Sequence, residues 1–134
     1  MTSSKLVHVS EAASIAIHSM ALIAKEGTRL NAKQIAESTH SNRNHLAKVI
    51  RRLVKAGFIS SERGPMGGFI LSRPKEEITL LDIYEAIEGQ LIPSTCGIER
   101  GECPFERCVF NHLQEELSAT FKDYLSSTTV ADIA

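Results

Sequence analysis

The sequence predicts a mainly α-helical protein with one small β-hairpin, and three observations lead to this fold class. Apolar residues recur at helical spacing in several segments. The turn GPMGG, at 64–68, separates two short runs with β-strand composition. Residues that cap helices precede the helical segments, and glycines follow several of them. At 134 residues with 43% hydrophobic content, the chain has enough apolar material for a core without disulfide bonds.

Two helices are predicted in the first forty residues. The first spans about 11–25, between Ser10 as its N-cap and Gly27 as its stop. A short second helix, at 32–39, follows the capping residue Asn31. The sequence HSN then breaks the helical pattern and predicts a tight turn.

The third helix has the clearest apolar pattern in the chain. It begins after the cap Asn42 and ends at Gly57. Its apolar residues have the spacing i, i+3, i+4, i+7 and i+8 of one helix face: Leu46, Val49, Ile50, Leu53 and Val54. Two helices joined by a tight turn and followed by a β-hairpin form a winged helix-turn-helix, a DNA-binding architecture.

Two more helices are predicted after the hairpin. One opens at Thr79 and closes at Gly89. An irregular loop at 90–103 follows, and Pro104 is predicted in the first turn of a long last helix. That helix has an apolar stripe, widened by two aromatic residues: Val109, Leu113, Leu117, Phe121 and Leu125, with Phe110 and Tyr124. The stripe is too apolar for an isolated helix, so its expected partners are the first helix and the same helix of a second chain.

Charge is distributed unevenly along the chain, although the formal net charge is only −1. Residues 29–75 carry ten Lys or Arg and two acidic residues, a net of +8. Residues 76–134 carry three basic and twelve acidic residues, a net of −9, and residues 1–28 balance. A basic segment of this kind suits a phosphate backbone, and a solvated surface with uneven charge is the alternative.

The predicted third helix supplies the candidates for reading DNA. Recognition helices contact base edges with their N-terminal residues, so Arg43, Asn44 and His45 are candidates for the major groove. Asn42 is a further candidate, although its side chain is also the predicted cap. Three basic residues further along the helix are predicted to neutralise phosphates: Lys48, Arg51 and Arg52.

The hairpin is a second candidate for DNA contact. Arg63 comes just before its tip, where an arginine can enter a minor groove. Three glycines permit a tight tip: Gly64, Gly67 and Gly68. An ordinary surface hairpin is the alternative, but the position directly after a basic helix-turn-helix favours a wing.

All three cysteines fall in CGIERGECPFERC with the spacing C-x6-C-x4-C: Cys96, Cys103 and Cys108. The chain has no membrane span, and the stretch 12–24 is too polar for a signal-peptide core, so we expect a reducing, cytoplasmic location. In a reducing compartment, clustered cysteines are more often metal ligands or redox thiols than disulfides. Thiolates suit iron–sulfur clusters; structural zinc, a cluster-free thiol switch and no role are the alternatives.

Several of these segments together resemble the Rrf-two (Rrf2) family of bacterial transcription regulators. SNRNHLAKVIRRLVKAGFI resembles the family's recognition helix, RGPMGGF its wing, ITLLDIYEAIEG its connecting helix and TTVADI its ending. The resemblance covers nearly the whole chain. It implies a homodimer with a winged-helix head, a long dimerisation helix and no catalytic activity. It also implies that residues 42–45 read bases and that Arg63 enters the minor groove.

The resemblance further implies an iron–sulfur cluster, 2Fe–2S or 4Fe–4S, held by the three cysteines and a fourth ligand. In one branch that ligand is a histidine three residues after the last cysteine; here Asn111 has that position and His112 follows on nearly the same helix face. In another branch an acidic residue of the partner's first helix serves. The matching region offers Glu11, Ser14 and His18 of the partner chain. Water is a further alternative, and His112 is preferred.

Together these inferences predict a cytoplasmic, dimeric transcription regulator, a repressor, that binds a pseudopalindromic double-stranded operator. Its signal would be nitric oxide, oxygen or another redox change, or the iron–sulfur supply. The predicted division is a DNA-binding head at 1–75, and a second segment at 76–134 with the connecting helix, a cysteine loop at 90–108 and the dimerisation helix. One alternative is a cluster-free thiol-switch regulator. Another is a small iron–sulfur or zinc interaction protein without DNA binding, which has no need of the basic segment.

Overall fold

The computed structural model describes residues 8–65, 67–93, 98 and 102–134. Within these ranges the chain is mainly helical with one two-stranded antiparallel hairpin, which confirms the predicted fold class. The elements are α1 (Glu11–Glu26), α2 (Ala32–Thr39), α3 (Arg43–Lys55), β1 (Ile59–Glu62), β2 (Gly68–Leu71), a 3-10 turn (Lys75–Glu77), α4 (Leu80–Glu88), α5 (Leu113–Ser127) and α6 (Val130–Ile133). Among these helices, none is both long enough and apolar enough to cross a membrane.

Polar caps determine where α1 and α2 begin. The first N–H groups of a helix have no acceptor within the helix, so a side chain before it must supply one. The Ser10 hydroxyl accepts the N–H of Ala13 at 3.1 Å. Asn31 and Gln34 form a reciprocal capping box at the start of α2. Gly27 ends α1 with a left-handed φ of 64°. The bounds of α1 and α2 agree with the predicted ones to within one residue.

The short helix α6 was not predicted. Its capping box, made by Thr129 and Asp132, is the same signal that Thr79 and Asp82 supply at α4. The two threonines also pair in an isolated antiparallel β-bridge, and Val130 is fully buried. These contacts hold α6 beside the start of α4.

The buried side chains form one cluster with α1 at its centre. α1 packs against α2, α3, α4, α6 and β2, and its Ala13, Ala16 and Met20 are fully buried. Other fully or almost fully buried members come from both halves of the chain: Ile35, Leu46, Leu53, Ile59, Ile78 and Ile83. The core therefore contains residues from both sides of the predicted boundary between residues 75 and 76. The assignment of DNA binding to the first segment, and of the cysteine loop and dimerisation to the second, stays a prediction.

The last helix is shorter than predicted. It begins at Leu113, and Pro104 lies well before it, in a segment of turns. Asn111 and His112 have φ angles of 52° and 58°, and residues in this left-handed region cannot continue a right-handed helix. The N–H of Asn111 instead donates to the carbonyl of Cys108 at 3.0 Å.

Within the described residues the main packing partner of α5 is α4, whereas the prediction named the first helix and a second chain. The Phe121 ring meets Tyr84 edge to face, with centroids 5.8 Å apart, and Leu125 is buried. Burial in this contact, and then the nearby charge of Glu88, raises the pKa of Tyr84 above its ordinary value. The N-terminal part of the α5 stripe remains exposed, which leaves an apolar surface at this end of the helix.

Candidate nucleic-acid interface

The exposed end of α3 is set by its cap. The Oδ1 atom of Asn42 accepts the N–H of Asn44 at 2.9 Å and the N–H of His45 at 3.2 Å. The cap fixes the start of α3, and with it the direction in which Arg43 and Asn44 project. Because both bonds use the amide oxygen, only the amide nitrogen of Asn42 is left for a base. Its role in reading bases stays a prediction.

The two faces of α3 differ sharply in character. One face is buried in the core: Leu46, Val49, Ile50 and Leu53. The other face is exposed and strongly basic: Arg43, Lys48, Arg51, Arg52 and Lys55. Asn44 is exposed in the first turn, next to Arg43. Arg43 and Asn44, two of the predicted contact residues, are therefore accessible to base edges in a DNA groove.

His45 is less accessible than its neighbours because it faces α1. It is partly buried, and its Nδ1 lies 3.7 Å from Oε1 of Glu11. Glu11, one of the candidate fourth ligands, is thus engaged with the first turn of α3 in its own chain. The pair links the start of α1 to the start of α3.

The two adjacent arginines of α3 have different surroundings. Arg51 Nε donates to the carbonyl of Ala47, one turn back in the same helix, at 3.3 Å. Arg52 Nη1 donates to the carbonyl of Ile87, at the C-terminal end of α4, at 3.1 Å. Arg52 therefore links two helices. Sequence reasoning missed this link because the bonded residues are 35 positions apart and no local pattern joins them.

The hairpin has a tight tip and a close contact with the rest of the head. Gly64 has a φ of 111°, and its carbonyl accepts the N–H of Gly67 at 2.8 Å. A Cβ atom on Gly68 would lie 2.7 Å from the carbonyl oxygen of Leu30. Leu30 pairs with Phe69 in a β-bridge, so the second strand is held against the segment between α1 and α2.

The arginine before the hairpin tip is available for contact. Arg63 is exposed and forms no salt bridge with any residue that the structure describes. The neighbouring Glu62 is instead paired with Arg29, which offsets its negative charge next to Arg63. The position and charge of Arg63 fit the predicted role in a minor groove.

The cysteine segment, which is the predicted cysteine loop at 90–108, is described in part. Cys96 lies outside the described residues, Cys103 is an exposed free thiol, and Cys108 is a half-buried free thiol. In the described ranges no three His, Cys, Asp or Glu side chains come together as a metal site. The chemistry of the thiols suits an iron–sulfur cluster, and the complete ligand set stays a prediction.

His112 lies beside Cys108, although not on a helix. Its backbone N–H donates to the Cys108 Sγ at 3.5 Å. His112 is the left-handed N-cap residue of α5, so the prediction that it shares a helix face with Asn111 is wrong. Its Nδ1 lies 3.5 Å from Oε2 of Glu115, which leaves Nε2 as the ring nitrogen that faces away from this carboxylate.

The other candidate ligands lie together on α1. Nδ1 of His18 is 2.7 Å from the carbonyl oxygen of Ser14 and 3.4 Å from its hydroxyl. A carbonyl only accepts hydrogen bonds, so Nδ1 carries the proton and Nε2 of the neutral ring has a lone pair. His18 is exposed and lines a cleft of about 410 Å³, together with residues of α2 and α6 such as Thr39 and Ile133.

A basic helix that follows a tight turn, with a hairpin at its side, defines a winged helix-turn-helix protein of the transcription-regulator class. The chain belongs to the Rrf2 family: residues 9–134 match the model of this family, whose description is an iron-dependent transcriptional regulator. This match confirms the family resemblance of the sequence motifs.

Relatives and solved structures agree with this assignment. An HTH-type transcriptional regulator of Aquifex aeolicus is 32% identical over 126 residues, which cover 88% of this chain and 85% of the relative. CymR, the global cysteine regulator of B. subtilis, superposes with a TM-score of 0.80 at 26% identity, over 96% of this chain and 97% of CymR. IscR of T. potens gives a TM-score of 0.74 at 27% identity, over 96% and 86%. The family and these relatives are transcription regulators, which confirms that the protein is not an enzyme.

The Asn42 cap can be tested apart from DNA binding. Asn42→Ala removes the acceptor of two N–H groups and should lower the free energy of unfolding by about 1 kcal/mol. Asn42→Asp keeps an acceptor and places a negative charge at the helix N-terminus, so it should preserve stability. Urea denaturation measures both, with Asn44→Ala as the exposed control. Equal losses for both Asn42 variants would contradict the capping role.

Proposed function

We propose that the protein is a dimeric transcription regulator, a repressor, whose affinity for operator DNA depends on an iron–sulfur cluster held by its cysteine segment. The family supports regulation of transcription and binding of DNA. The observation that carries the proposal is the start of α3, which is basic and exposed. The Asn42 cap holds it in place, and the hairpin with its glycine-rich tip lies beside it. We expect this protein to act in the cytoplasm, where its DNA is.

The described residues support three kinds of contact with DNA: to bases in the major groove, to phosphates and to the minor groove. Arg43 and Asn44 project from the first turn of α3 and would read bases in the major groove. Lys48 and Arg51, further along the exposed face, would neutralise phosphates. Arg63, without a salt bridge in the described residues, would enter the minor groove beside them. The net charge of +8 over residues 29–75 favours this surface for DNA.

A second copy of the chain would cover the exposed part of the last helix. Large apolar side chains at and before the start of α5, together with Tyr124, are exposed in a single chain: Val109, Phe110, Leu113, Leu117 and Tyr124. Several large apolar side chains exposed close together in the sequence favour an interface. A two-fold dimer would place two α3 helices about 34 Å apart, one turn of DNA, which is why we propose a pseudopalindromic operator.

The cluster would be held by Cys96, Cys103 and Cys108, and would supply a centre that nitric oxide or oxygen can modify. The N–H of His112 at the Cys108 Sγ would stabilise thiolate charge. The Nε2 atom of His112 is the candidate fourth ligand, since its Nδ1 faces Glu115. Glu11, Ser14 and His18 of a partner chain remain alternatives for that position.

A cluster-free thiol switch is the second candidate. The similarity to CymR, a global cysteine regulator, extends over nearly the whole chain and favours it. In a switch, an oxidant such as a peroxide converts one thiol to a sulfenic acid, and a neighbouring cysteine condenses with it to give a disulfide and water. Membership of a transcription-regulator family disfavours the remaining alternative, an iron–sulfur or zinc interaction protein without DNA binding.

The contact assignment is tested with a duplex selected from random DNA and with single-base variants of it. Arg43→Ala should reduce discrimination at one position by about 1–3 kcal/mol, because a base contact is lost. Lys48→Ala should weaken binding to all duplexes alike and lower the salt dependence by about one counterion. Gel shifts at two salt concentrations measure both effects. Arg43→Lys is the control, because it keeps the charge and loses bidentate geometry. The reverse pattern would refute the assignment.

The cluster is tested by anaerobic purification, analysis of iron and sulfide, and absorption spectroscopy. The intact protein should be coloured, and Cys108→Ser should lose the bound iron. His112→Ala should retain less iron than the intact protein, by about tenfold or more if the imidazole is a ligand or supports one. His40→Asn, at an exposed left-handed position that asparagine tolerates, is the matched control. A protein that stays iron-free after reconstitution would leave the thiol switch as the better proposal.

The dimer is tested by sedimentation at micromolar concentration. Leu117→Glu places a charge on the exposed apolar stripe and should shift the protein from dimer to monomer, since burying an unpaired carboxylate is costly. Ala119→Glu adds the same charge elsewhere on the exposed surface of α5 and should leave the dimer intact. A dimer that survives Leu117→Glu would place the interface elsewhere.

A further inference from the structure

We infer that the C-terminal end of α4 is a junction that couples the recognition helix to the cysteine segment, and that Arg52 is a positioning residue in it. The junction, called here the α4 junction, is the set of polar contacts that residues 85–91 make. Their partners come from the N-cap of α1, from α3, from α5 and from within residues 85–91. The members of the α4 junction are Ser10, Arg52, Glu85, Glu88 and Lys122. The inference rests on the proposed function, because it assigns the route between the two sites that the proposal invokes.

On the recognition side, Arg52 holds the end of α4. Its Nη1 donates to the carbonyl of Ile87 at 3.1 Å. The last carbonyls of a helix have no donor within the helix and carry partial negative charge, so a guanidinium is a well-matched partner. Arg52 is part of the same rigid helix as Arg43, and a shift of the end of α4 would therefore be felt at the base-reading turn.

On the cysteine side, the junction holds both backbone polar groups of Leu91. Glu85 Oε2 accepts the N–H of Leu91 at 2.7 Å. Lys122 Nζ, from α5, donates to the carbonyl of Leu91 at 3.3 Å. Leu91 comes five residues before Cys96, at the start of the cysteine segment. The direction in which that segment leaves α4 is thus set by one contact from α4 and one from α5.

A third contact joins the junction to α1. The Ser10 hydroxyl donates to a carboxylate oxygen of Glu88 while it also accepts the N–H of Ala13. The next residue, Glu11, lies beside His45 in the first turn of α3. The end of α4 therefore reaches α3 at two places, directly through Arg52 and indirectly through the start of α1.

These contacts differ from the core in how easily they change. The core contacts of α3 are apolar and close-packed, and close-packed interiors do not deform continuously. The junction contacts are single polar bonds at the surface or partly buried, and water can replace either partner when one breaks. A change in the cysteine segment can therefore alter the α4 junction without unfolding the head. Because coupling is reciprocal, DNA on α3 must also alter the start of the cysteine segment.

Hydrogen–deuterium exchange of the full chain, with and without the selected duplex, tests this reciprocity. DNA should change exchange in peptides over 89–93 by about fivefold or more. Arg52→Ala should still bind DNA but reduce the change to about twofold or less. Arg52→Gln, which keeps a donor for Ile87, should retain more of the change. Lys122→Met should abolish it with operator affinity intact, because Lys122 lies on α5 and not on the DNA-facing surface.

Arg51→Ala is the matched control, since it removes the same charge from the same helix without touching α4. It should weaken DNA binding and keep the exchange change at 89–93. If Arg52→Ala behaves like Arg51→Ala, Arg52 is a phosphate contact and the inference is wrong. If the intact protein binds the duplex but shows no change in exchange at 89–93, the inference about the α4 junction is wrong and the proposed DNA binding stands. If it binds no duplex, the proposed function fails and the junction with it. Should Arg52→Ala not fold, Arg52→Gln and Lys122→Met decide.

Discussion

One face of α3 is buried against α1, and this burial fixes the orientation of the whole helix. Leu46 and Leu53 of α3, like Ala13, Ala16 and Met20 of α1, are removed completely from water. Burying an aliphatic side chain of this size contributes about 1.5–3 kcal/mol, so rotation of α3 about its axis is strongly opposed. Because the apolar face has one possible orientation, the basic face has one as well. The orientation of the basic face is in this sense a consequence of the core.

Residues 29–75 and residues 76–134 carry opposite net charges, so the charge of the protein is strongly uneven. The basic residues of 29–75 lie on and around α2, α3 and the wing, while the residues after 75 are strongly acidic. An acidic segment repels a phosphate backbone, so the basic segment is the part of this charge distribution that favours DNA. Membership of the Rrf2 family agrees with this arrangement, as does the structural similarity to CymR and IscR.

The segment between α4 and α5 is held at both ends by contacts that a local sequence pattern does not encode. At its start, Glu85 and Lys122 bind the backbone of Leu91 from two helices. At its end, two consecutive left-handed residues, Asn111 and His112, turn the chain into α5 and bring a backbone N–H to the sulfur of Cys108. The connection between α4 and α5 is therefore anchored at its two described ends, and it is longer at its C-terminal end than the predicted loop.

Local sequence patterns are enough to predict the helical bounds of the head, the hairpin, the basic face and the family. Each of these depends on neighbours a few residues apart: a cap such as Asn31 with Gln34, an apolar spacing as in α3, a glycine such as Gly27. The folded structure, in contrast, shows that α5 packs on α4, that Thr129 pairs with Thr79, and that Arg52 donates to the carbonyl of Ile87. It also shows that α5 begins at Leu113, although helical spacing continues through residues whose backbone has left the helix. Periodicity records which face is apolar, and it carries no information about which distant surface that face meets.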